Sequence, residues 1–233
     1  MDLNADFSQR AAVHFGQGAW KASPMAGVDR HMLDRIGDEV ARATSIVRYA
    51  PGSAFSAHTH GGGEEYLVLE GVFQDEHGDF PVGSYVRNPP TSAHIPRSDP
   101  GSIIFVKLWQ FDPQDRQTVR IDSNARTPVP VTGREGVREI PLYADDRERV
   151  RIEQWAADQD ITLSDHQGLE ILVLGGDFEE GGERFSRFSW LRLPPGQAFM
   201  GRSGGSGAQL WIKSDHLAEP QTAPQPAPNP ETP

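Results

Sequence analysis

Cysteine is absent from all 233 residues, which removes disulfides, thiolate metal ligands and cysteine nucleophiles together. Long apolar runs are missing as well. The longest, such as Ile103 to Val106 and Ile171 to Leu174, are four or five residues, where a membrane span needs roughly 20. The opening MDLNADFSQR starts acidic and has no apolar stretch of the kind a secretory signal carries. Basic charge is scarce: 22 Lys and Arg face 33 Asp and Glu, for a net charge of −11. Nucleic acid wants a basic stripe that displaces counterions, so neither a nucleic-acid nor a membrane partner is expected. The acidic shell reads as a solubility feature, and a cytoplasmic location fits these absences.

Glycine and proline are plentiful, 24 and 19 residues, and much of the excess punctuates short apolar runs. TSIVRYAP (44–51) and SIIFVKLWQF (102–111) are β-branched and aromatic stretches of that kind. The composition predicts an all-β fold. One stretch, HMLDRIGDEVARA from His31, could form a turn or two of helix, although Gly37 interrupts it.

The chain also repeats itself. GEEYLVLEGVF (63–73) lies over GLEILVLGGDF (168–178) at an offset of 105 residues, and SYVRNPPTSAHI (84–95) lies over SWLRLPPGQAFM (189–200) at the same offset. Two copies of one β-rich unit are expected, over 20–125 and 126–217, preceded by an arm over 1–19. The last stretch, 218–233, is rich in Pro, Ala and Gln without an apolar anchor, and reads as a disordered tail.

The chemistry clusters in the first copy. His58 and His60 are two apart, so on a strand both imidazoles face one way. Gly61, Gly62 and Gly63 give backbone freedom for a tight return. Glu64 then opens the next strand, and His94 follows a proline turn 34 residues beyond His60. Imidazoles with a carboxylate and no sulfur suit Fe(II), Mn(II), Ni(II), Cu(II) or Zn(II).

These residues carry a family resemblance. Gly52, His58, His60, Glu64 and Gly71 keep every spacing of the first sequence motif of the cupin superfamily, G-x5-H-x-H-x3-E-x6-G. The second motif is met at Gly83, Pro89 and His94, but Thr91 stands where glycine is usual and Ser98 where asparagine is usual. AHTHGGGEEYLVLEGVFQDEHGDFPVGSYVRNPPTSAH, at the centre of residues 44 to 108, resembles the ChrR-like cupin domain of anti-sigma factors. The resemblance implies two tandem small antiparallel β-barrels, with one divalent metal ion on His58, His60, Glu64 and His94. By analogy with ChrR that ion is zinc, with Fe(II), Mn(II) or Ni(II) as alternatives. It also implies a small-molecule ligand or oxidant as partner, and a homodimer is common among such proteins.

At the 105-residue offset, His58, His60, Glu64 and His94 meet Leu163, Asp165, Leu169 and Phe199. The second copy is therefore expected to hold no metal. His14, His31, His77, His166 and His216 have no spaced partner and read as surface residues. Glu65 has the wrong strand phase and should face away from the site, while Tyr66, Val68, Arg48 and Tyr85 are candidates for the barrel lining. Trp109 and Trp211 read as core or interdomain packing, and DDRERVR (145–151) as a solvated loop.

Two function classes follow. A sensor or small-ligand-binding module fits a zinc site with four protein ligands. Sigma-factor sequestration by the ChrR route is not expected, since its cysteine-bearing zinc motif has no counterpart in these residues. A cupin-type dioxygenase acting on a small diketone, aromatic ketone or organic acid is the alternative. No catalytic acid or base can be singled out.

Overall fold

The computed structural model describes residues 1–16, 20–38 and 40–220. The tail expected at 218–233 lies outside the described residues from 221 onward. The protein is all-β, with a single 3-10 turn, Ser123–Ala125, among the described residues, and no helix is long and apolar enough to cross a membrane. The helical turn expected from His31 is instead an antiparallel pair of strands, Val28–Gly37 and Ala41–Tyr49. Gly37, with φ of 106°, ends the first strand in a conformation that favours glycine. The pairing of Ala41–Tyr49 with Ser102–Leu108 then overrides local helix propensity.

Two antiparallel sheets are built alike. In the first, the order is Val119–Asp122, Ser84–Asn88, Glu64–Asp75, Ser102–Leu108, Ala41–Tyr49, Val28–Gly37, Lys21–Ala22. In the second it is Ala11–Val13, Trp190–Leu193, Leu169–Glu180, Phe199–Ser214, Arg149–Trp155, Val137–Ala144, Val129–Pro130. Strands Glu64–Asp75 and Leu169–Glu180 stand 105 residues apart, as do Gly78–Pro81 and Glu183–Ser186. Gly71 and Gly176 share φ values of 67° and 66°, and a Cβ on either would lie 2.0 Å from a carbonyl oxygen of the neighbouring strand. No side chain fits at either point. The chain start does not stand apart: Ala11–Val13 adds an edge strand to the second sheet.

The faces where the sheets meet bury charge along with apolar groups. Phe105 and Trp211 pack at 4.8 Å, and around them the ion pairs are reciprocal. Lys107 of the first sheet reaches Glu170 of the second at 2.6 Å, and Lys213 of the second reaches Glu65 of the first at 2.7 Å. Tyr85 donates to Glu65 and Trp190 donates to Glu170, again 105 residues apart. Glu148 closes the network, accepting from Arg87 and from Lys213. Burial alone would raise the Glu65 carboxyl, but Lys213 and Arg87 outweigh it and hold its pKa down to about 2.

Several expectations change here. Glu65 does face away from the histidines, yet it is buried rather than solvated. Tyr85 belongs to this interface and not to a barrel lining. Arg48 lies outside, paired with Asp29 over the Trp20 ring. The 145–151 run is not merely a solvated loop, because Glu148 and Arg151 are buried in ion pairs. His31 and His166 are buried, and the His216 side chain is buried against Glu170, where packing around neutral imidazole replaces the expected solvent. Burial pushes His216 down to about 4.

Candidate metal centre

His58 and Thr59 form a short strand antiparallel to Ala93–His94, with His58 directly opposite His94. His60 follows it, and Glu64 begins the long central strand of the first sheet. The three imidazole centroids stand 5.0, 4.9 and 4.7 Å apart. The His60 Nε2 is 3.2 Å from the His58 Nε2 and 3.4 Å from the Glu64 Oε2, which is 3.6 Å from the His94 Nε2. Donors about 2.1 Å from one ion are about 3.0 Å apart at right angles and about 3.4 Å apart in a tetrahedron. All four residues offer atoms within 4.8 Å of one another. The donor set therefore fits one divalent cation.

The outer nitrogens are already engaged. The Nδ1 of His60 lies 3.1 Å from the Ser92 Oγ, and that of His94 lies 3.2 Å from the Asp75 Oδ2. Such contacts fix the ring and its tautomer, leaving Nε2 as the coordinating atom. The buried His94 Nε2 has no hydrogen-bond partner among the described residues. Asn88 donates to the Glu64 Oε2 at 3.2 Å and orients the carboxylate. Burial lowers the His60 pKa, favouring the neutral ligand form. Burial also opposes charge on His94, but its bond to Asp75 and the field of Glu64 carry its pKa upward.

The glycine triplet has a more specific reason than turn freedom. Only Gly63 has a positive φ, 78°. A Cβ on Gly62 would lie 2.2 Å from the Trp109 indole, and one on Gly61 would lie 2.8 Å from it. The glycines let Trp109, itself at φ 60°, lie directly on the histidine loop. Thr91, where the resembling family has glycine, sits at φ 75°. A left-handed β-branched residue costs about 1–2 kcal/mol, partly offset by the greater unfolded-state entropy of glycine. Thr91→Gly is thus expected to raise thermal stability by about 0.5–1 kcal/mol, or about 1–4 °C. A lower melting temperature would contradict this account of the turn.

A cavity of about 320 Å³ adjoins the four ligands. Its walls include Val28, Val47, Phe55, Val106, Leu108 and Trp109, so Trp109 is part of the cavity and not only core. Tyr66 and Val68 are instead buried core beneath it. Two further polar groups face in, Arg30 and Tyr49. Among the described residues, neither the Arg30 guanidinium nor the Tyr49 hydroxyl has an ion-pair or hydrogen-bond partner. Burial and the Glu64 carboxylate push the Tyr49 pKa well up, while Arg30 pulls it the other way, so the three groups lie within electrostatic reach. Sequence reasoning missed Asp75, Ser92 and Asn88, and also Arg30 and Tyr49, which come from strands distant in sequence.

The second sheet has the same frame, but apolar side chains stand at three of the four corresponding positions. Leu163 pairs with Phe199 in the register where His58 pairs with His94. Leu163, Leu169 and Phe199 are buried among Trp155, Phe178 and Phe185, and Asp165 turns outward. Fifteen buried apolar residues fill this interior against nine in the first, and the difference leaves room for the cavity.

Residues 8–112 match the family model described as ChrR cupin-like domain. No curated protein matches the chain. Among solved structures, a Nostoc punctiforme protein provisionally described as a dioxygenase is similar at 14% identity and TM-score 0.69, over 95% of this chain and 85% of that one. Ylba from Escherichia coli is similar at 12% identity and TM-score 0.68, over 91% and 93%. The Escherichia coli pirin YhhW, solved with nickel(II), is similar at 14% identity and TM-score 0.62, over 88% and 98%. At these identities the likeness shows the fold alone.

Proposed function

With residues 8–112 belonging to the ChrR cupin-like family, we propose that the protein is a metal-dependent cupin that acts on a small organic anion as a dioxygenase. The observation that carries this reading is the cavity beside the ligands, lined by a guanidinium and a phenol that have no partner among the described residues. A purely structural zinc needs four ligands and no cavity. His58, His60, Glu64 and His94 would hold the ion, which supplies Lewis acidity and, as Fe(II), a partner for dioxygen.

The chain's own residues do the rest. Arg30 takes the anionic end of the ligand, a carboxylate or an enolised diketone. The Tyr49 phenol, kept protonated by burial, donates a hydrogen bond. Valine, leucine and indole walls exclude water and strengthen both contacts. Asp75 and Ser92 keep the His94 and His60 rings aimed inward.

Oxygen uptake by the Fe(II)-loaded protein, with β-diketones, aromatic ketones and small carboxylates, tests this. Turnover is expected for at least one anionic substrate, and Arg30→Leu is expected to raise its KM about 10- to 100-fold with a smaller change in kcat. Stoichiometric zinc in freshly isolated protein, with no turnover after iron loading, would leave the sensor reading in its place.

A further inference from the structure

A second cleft, of about 650 Å³, opens between the two sheets, lined by residues of both. It lies across the sheet from the metal cavity. Along Ser102–Leu108, Val106 and Leu108 face the cavity while Lys107 joins the buried network on the other side; along Ala41–Tyr49, Val47 and Tyr49 alternate with Thr44 and Arg42.

Half of the charges lining this cleft are paired. Arg147 holds Asp112 at 2.6 Å, and Lys213 is shared by Glu65 and Glu148 at 2.7 Å each. Arg42 is different. It is 3% exposed, and among the described residues its guanidinium makes no hydrogen bond or ion pair, resting on the Phe7 ring at 4.3 Å. The field of Asp34 reaches it, but that carboxylate is bonded to Arg192 at 3.0 Å. Leaving a buried guanidinium unpaired is costly, so a partner from solution is the natural complement.

Two acceptors buried beneath the cleft wall, the Gln110 Oε1 and the His216 Nδ1, also have no partner among the described residues. At the rim, three carboxylates make no ion pair among the described residues, the exposed Asp146 and Glu219 and the half-buried Asp215, which accepts only from the Gln167 backbone N–H. One unpaired cation with three carboxylates outside any ion pair disfavours a simple anion. A ligand with opposite charges at its two ends complements both signs.

We propose that the cleft is a binding site for a small amino acid, its carboxylate on Arg42 and its ammonium toward the acidic rim of Asp146, Asp215 and Glu219. Calorimetry on the full-length, metal-loaded protein tests it with glycine, β-alanine, γ-aminobutyrate and glutamate, beside acetate and methylamine as single-charge controls. At least one amino acid is expected to bind in the millimolar range or tighter, about 10-fold better than either control. Arg42→Met is expected to weaken it about 10-fold or more without changing metal content. Asp146→Asn with Glu219→Gln, exposed changes that leave folding untouched, are expected to weaken the amino acid and not acetate. No binding by any amino acid, acetate binding as tightly as the best of them, or binding indifferent to both sets of variants would overturn the proposal.

Discussion

Replacing His60 by Ala is expected to lower the affinity for a divalent metal by more than about 100-fold, measured by competition with a chromophoric chelator. His60 contributes the buried Nε2 nearest to both His58 and Glu64, so its loss removes one ligand and opens the centre to water. Changing an outer contact gives a smaller loss. Asp75→Asn keeps a hydrogen bond to His94 but removes the charge that raises its basicity, and about a 10- to 100-fold loss is expected. The order of the two effects matters more than either value. Equal affinities for wild type and His60→Ala would show that the four residues do not share an ion.

Replacing Glu170 by Ala is expected to produce the largest loss of stability. Glu170 accepts from Lys107 at 2.6 Å and from the Trp190 indole at 2.7 Å, and His216 lies 3.1 Å away. Apart from Glu170, the Lys107 ammonium hydrogen-bonds only the Thr44 hydroxyl among the described residues, and the residue is 1% exposed. Truncating one partner of such a pair costs about 3–5 kcal/mol. For a chain of this size that is about 6–20 °C in melting temperature. Glu65→Ala is the informative comparison, because Lys213 keeps Glu148 at 2.7 Å, and a smaller loss is expected. The double change Lys107→Met with Glu170→Leu should recover much of the loss, since an apolar pair leaves no buried charge. Denaturant midpoints check all three, and a Glu170→Ala cost under about 1 kcal/mol would mean that water reaches this network.

Three of the four converging side chains were legible because the spacing that brings them together is local: a histidine on a short strand and another just past it, a glycine return and a glutamate, with His94 marked by its proline turn. The all-β class was legible for a similar reason, in short runs bounded by glycine and proline. What could not be read is what depends on contact between distant strands. Glu65, Lys107 and Lys213 look like ordinary surface charges in sequence, and only sheet-on-sheet packing buries them. Arg30 and Tyr49 reach the cavity through the strand pair that the residues from His31 seemed to oppose. The repeat carried further than either pattern. It placed Leu163 against Phe199 and His58 against His94 in matching positions, which explains how one frame can hold a polar centre in one half and a packed core in the other.

Anomalous diffraction from crystals of the metal-loaded protein tests the account most directly. A single peak bonded to the Nε2 atoms of His58, His60 and His94 and to Glu64, facing the Arg30 and Tyr49 cavity, with none between Leu163 and Phe199, is the predicted result. A peak elsewhere, or none at full metal loading, would contradict it.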